Sequence, residues 1–178
     1  MWVIERWAWL GEPLGIDFAN TVRRRGLRYE EHLEEAGDLV VWARHEGLRL
    51  TAREVAPRLD DVRELRDAVF ALLLAATRGE PSPAGAESRL NAALAAVPLV
   101  PRLHGGEVVL AAHGDPPALD ELLARVATSV LDLLADPALS LCDAPSCGQF
   151  FLRHRRDQRW CGTACGTRAR VARHAHRI

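Results

Sequence analysis

The chain has 178 residues, of which 48% are hydrophobic and 26% charged, and its formal net charge is −1. This balance argues against a disordered chain and is typical of a folded protein with one sizeable core. No apolar run reaches the roughly 18 residues of a membrane span and the N-terminus lacks a signal-peptide pattern, so we expect a cytoplasmic protein with no membrane segment.

The first part of the chain is predicted to be helical. Apolar residues spaced by three and four positions predict a helix over residues 29–46, which Gly47 ends. Thr51 and Glu54 have the spacing of a capping box and start a second helix. Pro57 lies beyond the first turn of that helix, so the helix is either kinked there or continuous only from the proline onward.

Prolines and a glycine pair divide the next part of the chain. Ser82 before Pro83 predicts the start of a helix that ends before Pro98. Two short apolar runs flank Gly105-Gly106, and glycine supplies the positive φ that a tight turn requires. We therefore expect a β-hairpin between two helices.

A final helix closes this part. Asp115 is predicted to cap it, and the helix runs from Pro116 to about Asp136. The predicted fold class is α+β: a mainly helical N-terminal domain with a small β-hairpin over residues 1–138, followed by a small four-cysteine zinc finger over residues 139–178. We name these parts the body and the finger, and interpret the body as a regulatory or dimerisation domain.

All four cysteines lie in the finger, with the spacing C-x4-C, 13 residues, C-x3-C. Two close pairs with a short spacer place four thiolates within reach of one tetrahedral zinc ion. Such a closed site stabilises structure and leaves no position for a substrate. Two disulfides are the alternative, which a cytosolic chain disfavours. The predicted zinc ligands are Cys142, Cys147, Cys161 and Cys165.

The residues around the cysteines predict a knuckle, a β-hairpin and a helix. A short strand at residues 139–141 leads to the first cysteine, and residues 149–152 and 158–161 are predicted to pair as two strands, with Phe and Trp side chains covering the metal site. Thr163 is the predicted N-cap of the last helix, so Cys165 falls in its first turn, where the helix N-terminus favours a thiolate.

Basic residues concentrate in the finger. Residues 142–178 contain 8 Arg and 2 Asp, a net charge of +6, whereas residues 1–141 carry −7. We expect Val171, Ala175 and Ile178 to pack on one side of the last helix and arginines to occupy another. Because Arg pairs with phosphate and guanine, the finger is predicted to bind nucleic acid. The predicted contacts are Arg153, Arg155, Arg156, Arg159, Arg168, Arg170, Arg173 and Arg177.

The finger resembles the CGNR-type zinc finger, a module assigned to DNA-binding bacterial regulators. The resemblance implies a structural Zn²⁺, a regulatory role in transcription and double-stranded DNA as the partner. The third letter of the name is Thr167 here instead of Asn, so the role of that residue does not carry over. The matching motifs are Cys142-x4-Cys147-Gly148, Phe150, Arg159-Trp160-Cys161 and Cys165-Gly166-Thr167-Arg168.

The body also resembles a known domain. Its segment Gly15-Ile16-Asp17-Phe18-Ala19-Asn20-Thr21-Val22, followed by residues 39–42, is similar to the stress-induced transcription regulator (ABATE) domain that often precedes this finger. The two resemblances together imply a two-part transcriptional regulator that covers nearly the whole chain.

Other interpretations remain open from the residues alone. The finger is alternatively a protein-interaction or structural module that docks on the acidic body of its own chain or of a partner subunit. Asp17 and Asn20 are candidates for a small-molecule pocket, although local hydrogen bonding explains the same residues. No nucleophile elbow, phosphate loop or His-Glu metal motif is present, so we predict that the chain is not an enzyme.

A homodimer is also expected. One small finger buries little surface on DNA, and symmetric dimers are the usual way in which soluble proteins double a binding surface.

Overall fold

The computed structural model describes residues 10–25 and 28–175. Within these ranges the chain forms helices connected by three separate two-stranded antiparallel sheets, which confirms the predicted α+β class. The elements in chain order are α1 (Leu14–Ala19), β1 (Val22–Arg25), β2 (Arg28–Glu31), α2 (Ala36–His45), α3 (Ala52–Val55), a 3₁₀ turn (Ala56–Arg58), α4 (Leu59–Arg78), α5 (Ala84–Ala96), β3 (Leu99–His104), β4 (Glu107–Ala112), α6 (Ala118–Leu134), β5 (Leu139–Leu141), β6 (Phe150–Leu152) and α7 (Thr163–Ala175).

The predicted helix over residues 29–46 is wrong in its first part, where β2 pairs with β1. The helix begins only at Ala36, because Asp38 accepts hydrogen bonds from the backbone N–H groups of Glu34 and Glu35 and caps the helix there. Glu31 at the end of β2 is held by Arg66 of α4. Arg66 is only 3% exposed, so this ion pair is an internal anchor for the strand.

The capping box at Thr51 is confirmed, and it starts α3. The backbone N–H of Thr51 donates to Oε2 of Glu54 at 2.8 Å, and the reciprocal bond is also present. Pro57 lies in the 3₁₀ turn that separates α3 from α4. Proline removes one intrahelical hydrogen bond, so the long continuous helix begins after it, at Leu59.

Two helices begin later than predicted. Pro83 has ψ of 122° and Pro117 has ψ of 137°, so these prolines precede α5 and α6 instead of forming their first turns. Pro116 is excluded from the helix because the residue before a proline is disfavoured in α geometry. Neither Ser82 nor Asp115 therefore occupies the capping position. The hairpin of β3 and β4 is confirmed, with positive φ at both Gly105 and Gly106.

The core of the body lies where α1, α4, α5 and α6 pack together. Gly15 sets the contact between α1 and α6, since a Cβ at this position would lie 2.8 Å from Cγ2 of Val130. The N–H of Gly15 also donates to Oγ of Ser129 at 3.0 Å. In the described part of the chain no helix combines the length and the apolarity that crossing a membrane requires.

The strand pairing in the finger differs from the prediction. β6 pairs with β5, with Leu139 opposite Leu152, and residues 158–161 form no strand. Those residues turn instead, because the side chain of Gln158 accepts from the backbone N–H of His154 and donates to the carbonyl of Trp160. A knuckle, a hairpin and a helix are present, but the predicted pairing was wrong: the hairpin is formed by β5 and β6 and encloses the first two cysteines.

β6 connects two clusters of buried side chains. Phe150 is completely buried in the core of the body, where its ring meets Phe70 at 4.9 Å between centroids. Phe151 points to the other side and packs with the cysteines. Successive side chains of a strand point to opposite faces. The three-residue strand β6 therefore contributes to the core of the body on one face and to the cysteine cluster on the other. The division at residue 138 stays a prediction.

Candidate metal centre and basic surface

The first cysteine pair lies on a turn between β5 and β6. The N–H of Cys142 donates to the carbonyl of Gln149 at 2.9 Å, and the N–H of Cys147 donates to that of Ala144 at 3.1 Å. Ser146 and Gly148 have φ of 61° and 67°, the left-handed geometry that folds the chain back. Both thiols therefore point into the same small space.

The second pair is supplied by the start of α7. Cys165 lies in the first turn of the helix, as predicted, and Cys161 lies two residues before the helix begins. The N–H of Cys161 points at Sγ of Cys142 at 3.4 Å. This N–H group and the positive end of the helix both favour negative charge on sulfur.

The four sulfur atoms form a metal site. All four Sγ atoms lie within 4.8 Å of one another, with 3.8 Å between Cys147 and Cys161 and 3.6 Å between Cys161 and Cys165. A tetrahedron with Zn–S bonds of about 2.3 Å requires sulfur atoms about 3.8 Å apart. A disulfide requires about 2.0 Å, and all four cysteines are free. The predicted zinc ligands and Zn²⁺ as the cofactor fit this geometry.

The thiols influence one another's protonation. Hydrogen bonds from Cys147 and Cys161 lower the pKa of Cys142 to about 2. The same contacts raise the pKa of Cys147 to about 12 and raise that of Cys161. Four thiolates at these distances repel one another, so the fully deprotonated set needs a cation. Zinc supplies that charge and displaces the thiol protons when it binds.

Gln149 lies beside the metal ligands and was not predicted there. Oε1 of this buried side chain is 3.7 Å from Sγ of Cys147 and 3.9 Å from Sγ of Cys161. In the sequence, the only indication of this placement is that Gln149 follows the ligand Cys147 by two positions. Trp160 packs against the cysteine cluster, as predicted. Its indole ring also lies beside Gly166 of α7, where a Cβ would be 3.4 Å from Cε3 of the ring.

Thr167 occupies the position of the Asn in the Cys-Gly-Asn-Arg motif, and its hydroxyl makes hydrogen bonds within α7. Its hydroxyl donates to the carbonyl of Thr163 at 3.1 Å and accepts from the guanidinium of Arg170 at 3.0 Å. The hydroxyl therefore bonds within the helix and orients one arginine of the basic surface.

The packing face of α7 differs from the prediction. Cys165 and Ala169 are buried, one turn apart, whereas Val171 is 64% exposed. Cys165 faces the other three cysteines, and this sets the orientation of the helix. Ala175 is also exposed, and Ile178 lies outside the described residues.

The structure places the predicted arginines in two groups. Arg153 donates to the carbonyl of Pro137 at 2.6 Å and Arg159 pairs with Asp143 at 2.9 Å, so both have local partners. Within residues 10–25 and 28–175, the remaining arginines of the finger form no ion pair with a carboxylate, although Arg168 donates to the carbonyl of Pro145 at 3.1 Å and Arg173 lies over the ring of Trp160. Arg177 lies outside this described part. We define the basic surface as Arg155, Arg156, Arg168, Arg170 and Arg173, all of which are exposed.

Asn20 has a role that differs from the predicted ligand pocket. Its Nδ2 donates to the carbonyl of Phe150 at 2.9 Å, and its Oδ1 accepts from the N–H of Phe150 at 2.9 Å. The side-chain amide therefore pairs with the edge of β6 as a neighbouring strand does. Asn20 therefore joins the body to the finger through these two hydrogen bonds, and its part in a ligand pocket stays a prediction.

Replacing Asn20 with leucine is expected to destabilise the zinc-loaded protein by about 3 kcal/mol, since two buried backbone groups of Phe150 lose their partners. The free energy of unfolding from urea titrations measures this loss. Asn91→Leu, at an exposed position of α5, is the matched control. Equal stability of the two variants would show that the amide contributes nothing at this joint.

Asp17 belongs to a buried group of carboxylates. Burial and the nearby charges of Glu46 and Glu12 raise the pKa of Asp17 to about 8. Burial also raises the pKa of Glu46 to about 7 and raises that of Glu12. Oε2 of Glu12 accepts from the N–H of Leu152 in β6 at 3.1 Å. The group therefore lies next to the joint between body and finger.

Comparison with known proteins gives two family matches. Residues 12–137 match the ABATE model, described as "Putative stress-induced transcription regulator". Residues 139–178 match the CGNR zinc finger. A comparison with curated proteins gives no match. Both resemblances inferred from the sequence motifs are confirmed, and the first match spans more than half of the chain.

Proposed function

This chain belongs to the ABATE family and carries a CGNR zinc finger, and from that premise we propose that the finger binds double-stranded DNA and acts in transcription regulation in the cytoplasm. Zinc ties α7 to the turn that carries Cys142 and Cys147, so the arginines of α7 are held in a fixed position relative to the rest of the finger. The finger does not rely on a large core for this, because zinc binding supplies folding free energy.

The basic surface is the observation that carries the proposal. Its five arginines extend from a turn and a helix of the same module, and they meet no carboxylate within the described ranges. Guanidinium groups with free N–H donors bind phosphate bidentately and also reach O6 and N7 of guanine. Neutralised phosphates release counterions, so the affinity is expected to fall steeply with salt.

The contact between finger and body favours this proposal over the docking alternative. If the finger docked by charge, its arginines would pair with acidic residues of the body. Phe150 and Asn20 instead join the parts through apolar packing and backbone hydrogen bonds. The one finger arginine with an ion pair in the described ranges, Arg159, binds Asp143 of the finger itself. We also keep the prediction that the chain is not an enzyme, because four thiolates close the metal site.

Removing two charges from the basic surface is expected to weaken DNA binding at least about tenfold and to reduce the log–log salt slope by about two units. The test is fluorescence anisotropy of the zinc-loaded full chain with a mixed-sequence duplex across a salt series, for wild type and Arg155→Gln/Arg156→Gln. The charge-matched control is Arg44→Gln/Arg49→Gln, at exposed positions of the body.

Two outcomes would count against the proposal. If the wild type does not bind at low salt, the finger is better interpreted as a protein-interaction or structural module. Equal weakening by both double variants would show that the overall charge matters and the basic surface does not. A single-stranded RNA of the same sequence, measured in parallel, distinguishes DNA from RNA as the partner.

A further inference from the structure

The hairpin of β3 and β4 meets the body near its base, where Leu99 and Leu110 line a cleft with Leu48 and Ser129 of the body. Only the residues at its base are partly buried, and the rest of both strands is exposed. Leu103 is 77% exposed and Val108 is 74% exposed. A two-stranded sheet gains little stability in water, because at least three strands or a packed face are needed. Among the residues that the structure describes, no third strand pairs with the hairpin, so its apolar side chains and outer backbone groups are exposed there.

One face of the hairpin is entirely apolar. Leu103 lies opposite Val108 and Pro101 opposite Leu110, and residues directly opposite each other point to the same face. The pair Leu99 and Ala112 continues this face to the base. Charged residues of the hairpin, such as Arg102 and Glu107, alternate with these residues and point the other way.

The two outer edges of the hairpin are unequal. The N–H of His113 bonds to the carbonyl of Pro98, and such bonded pairs alternate with non-bonded ones along an antiparallel ladder. Pro101 and Leu110 thus form a non-bonded pair, and their backbone groups face outward. Pro101 has no N–H to offer, so it blocks the outer edge of β3. No proline or charge interrupts β4 from Val108 to Ala112.

We propose that two copies of this chain associate by antiparallel pairing of their β4 strands, centred on Leu110. In this register the outward groups of Val108 meet those of Ala112 of the partner subunit, and the N–H and C=O groups of the two Leu110 residues bond to each other. The edge strands of the two hairpins become the centre of one four-stranded sheet, and their apolar faces join.

The charges next to β4 favour a second copy as the occupant. The register that pairs all outward groups of β4 also places Glu107 opposite His113 of the partner subunit, and vice versa. An acid and an imidazole are compatible there, whereas two identical charges would repel. A two-fold axis through Leu110 satisfies both contacts at once, as an isologous interface requires. This dimer is independent of the proposed DNA binding.

Replacing Leu110 with proline is expected to raise the dissociation constant of the dimer at least about tenfold, because the two central hydrogen bonds are lost. Pro101, directly opposite Leu110, shows that a non-bonded pair of this hairpin accommodates a proline. Sedimentation equilibrium of the zinc-loaded full chain gives the constant. The matched control is Leu103→Pro, which changes the outer edge of β3 and is expected to leave the dimer intact.

Cross-linking tests the register without depending on the proline variants. The two copies of residue 110 form a bonded pair with Cα atoms about 5.5 Å apart, which suits a disulfide. Leu110→Cys is expected to form a covalent dimer on mild oxidation, whereas Leu103→Cys is not. A monomeric wild type, equal dissociation of both proline variants, or equal cross-linking of both cysteine variants would overturn the proposal.

Discussion

Replacing Cys165 with serine is expected to abolish stable zinc binding, to unfold the finger and to lower the melting temperature of the body. Structural zinc contributes on the order of 10 kcal/mol or more to the folding of small modules. Without zinc, α7 is held against the turn that carries Cys142 only by weaker contacts, such as the hydrogen bond from Arg168 to the carbonyl of Pro145.

The effect is expected to reach the body because the two parts share buried residues. Phe150 fills the core beside Phe70, and its backbone is bonded to Asn20. Loss of β6 opens that space and leaves the amide of Asn20 unpaired, which costs several kcal/mol by the usual magnitudes for large apolar residues and buried polar groups. We therefore expect a less stable but still helical body.

Zinc content per chain, circular dichroism and the melting temperature measure this prediction. Ala164→Ser is the control, because it places the same new side chain at the exposed neighbouring position of α7. Full zinc occupancy of Cys165→Ser after dialysis against a chelator would contradict the ligand assignment. An unchanged melting temperature of the body after zinc loss would show that the two parts fold independently.

The stability of the protein is expected to fall as the pH rises from about 6 to about 8, with Asp17 responsible for about 2 kcal/mol of the loss. The pKa of Asp17 is raised to about 8 in the folded protein and is near 3.8 when the carboxyl is unperturbed. The folded state therefore binds a proton that the unfolded state releases. Its contribution is complete below the unfolded pKa and is lost as the pH rises through the folded pKa.

Urea titrations at the two pH values give this dependence directly. Asp17→Asn mimics the protonated carboxyl and is expected to flatten the pH dependence, whereas Asp115→Asn, at an exposed position, is expected to preserve it. Glu46, whose pKa is also raised, keeps part of the slope in Asp17→Asn. A wild type that gains stability over this range would refute the assignment of a buried protonated acid.

Local features of the chain were predicted well. The spacing of the four cysteines gave the ligand set, because residues four or five positions apart reach one ion whatever the rest of the chain does. Gly105-Gly106 gave the hairpin and Thr51 with Glu54 gave a helix start, because both depend on dihedral preferences and hydrogen bonds within a few residues. The class of the fold followed from these signals together.

Contacts between distant residues were decided only by the tertiary structure. β6 pairs with β5 instead of residues 158–161, and Asn20 bonds to Phe150 across 130 positions in the sequence. Other pairings of these segments have similar local propensity. The observed pairing is the one that buries Phe150 in the body and places Phe151 against the cysteines. The sequence determines which hydrogen bonds, ligands and apolar contacts a segment can make. The tertiary packing determines which partner the segment contacts, because the free energy of burial is gained only when the whole core forms.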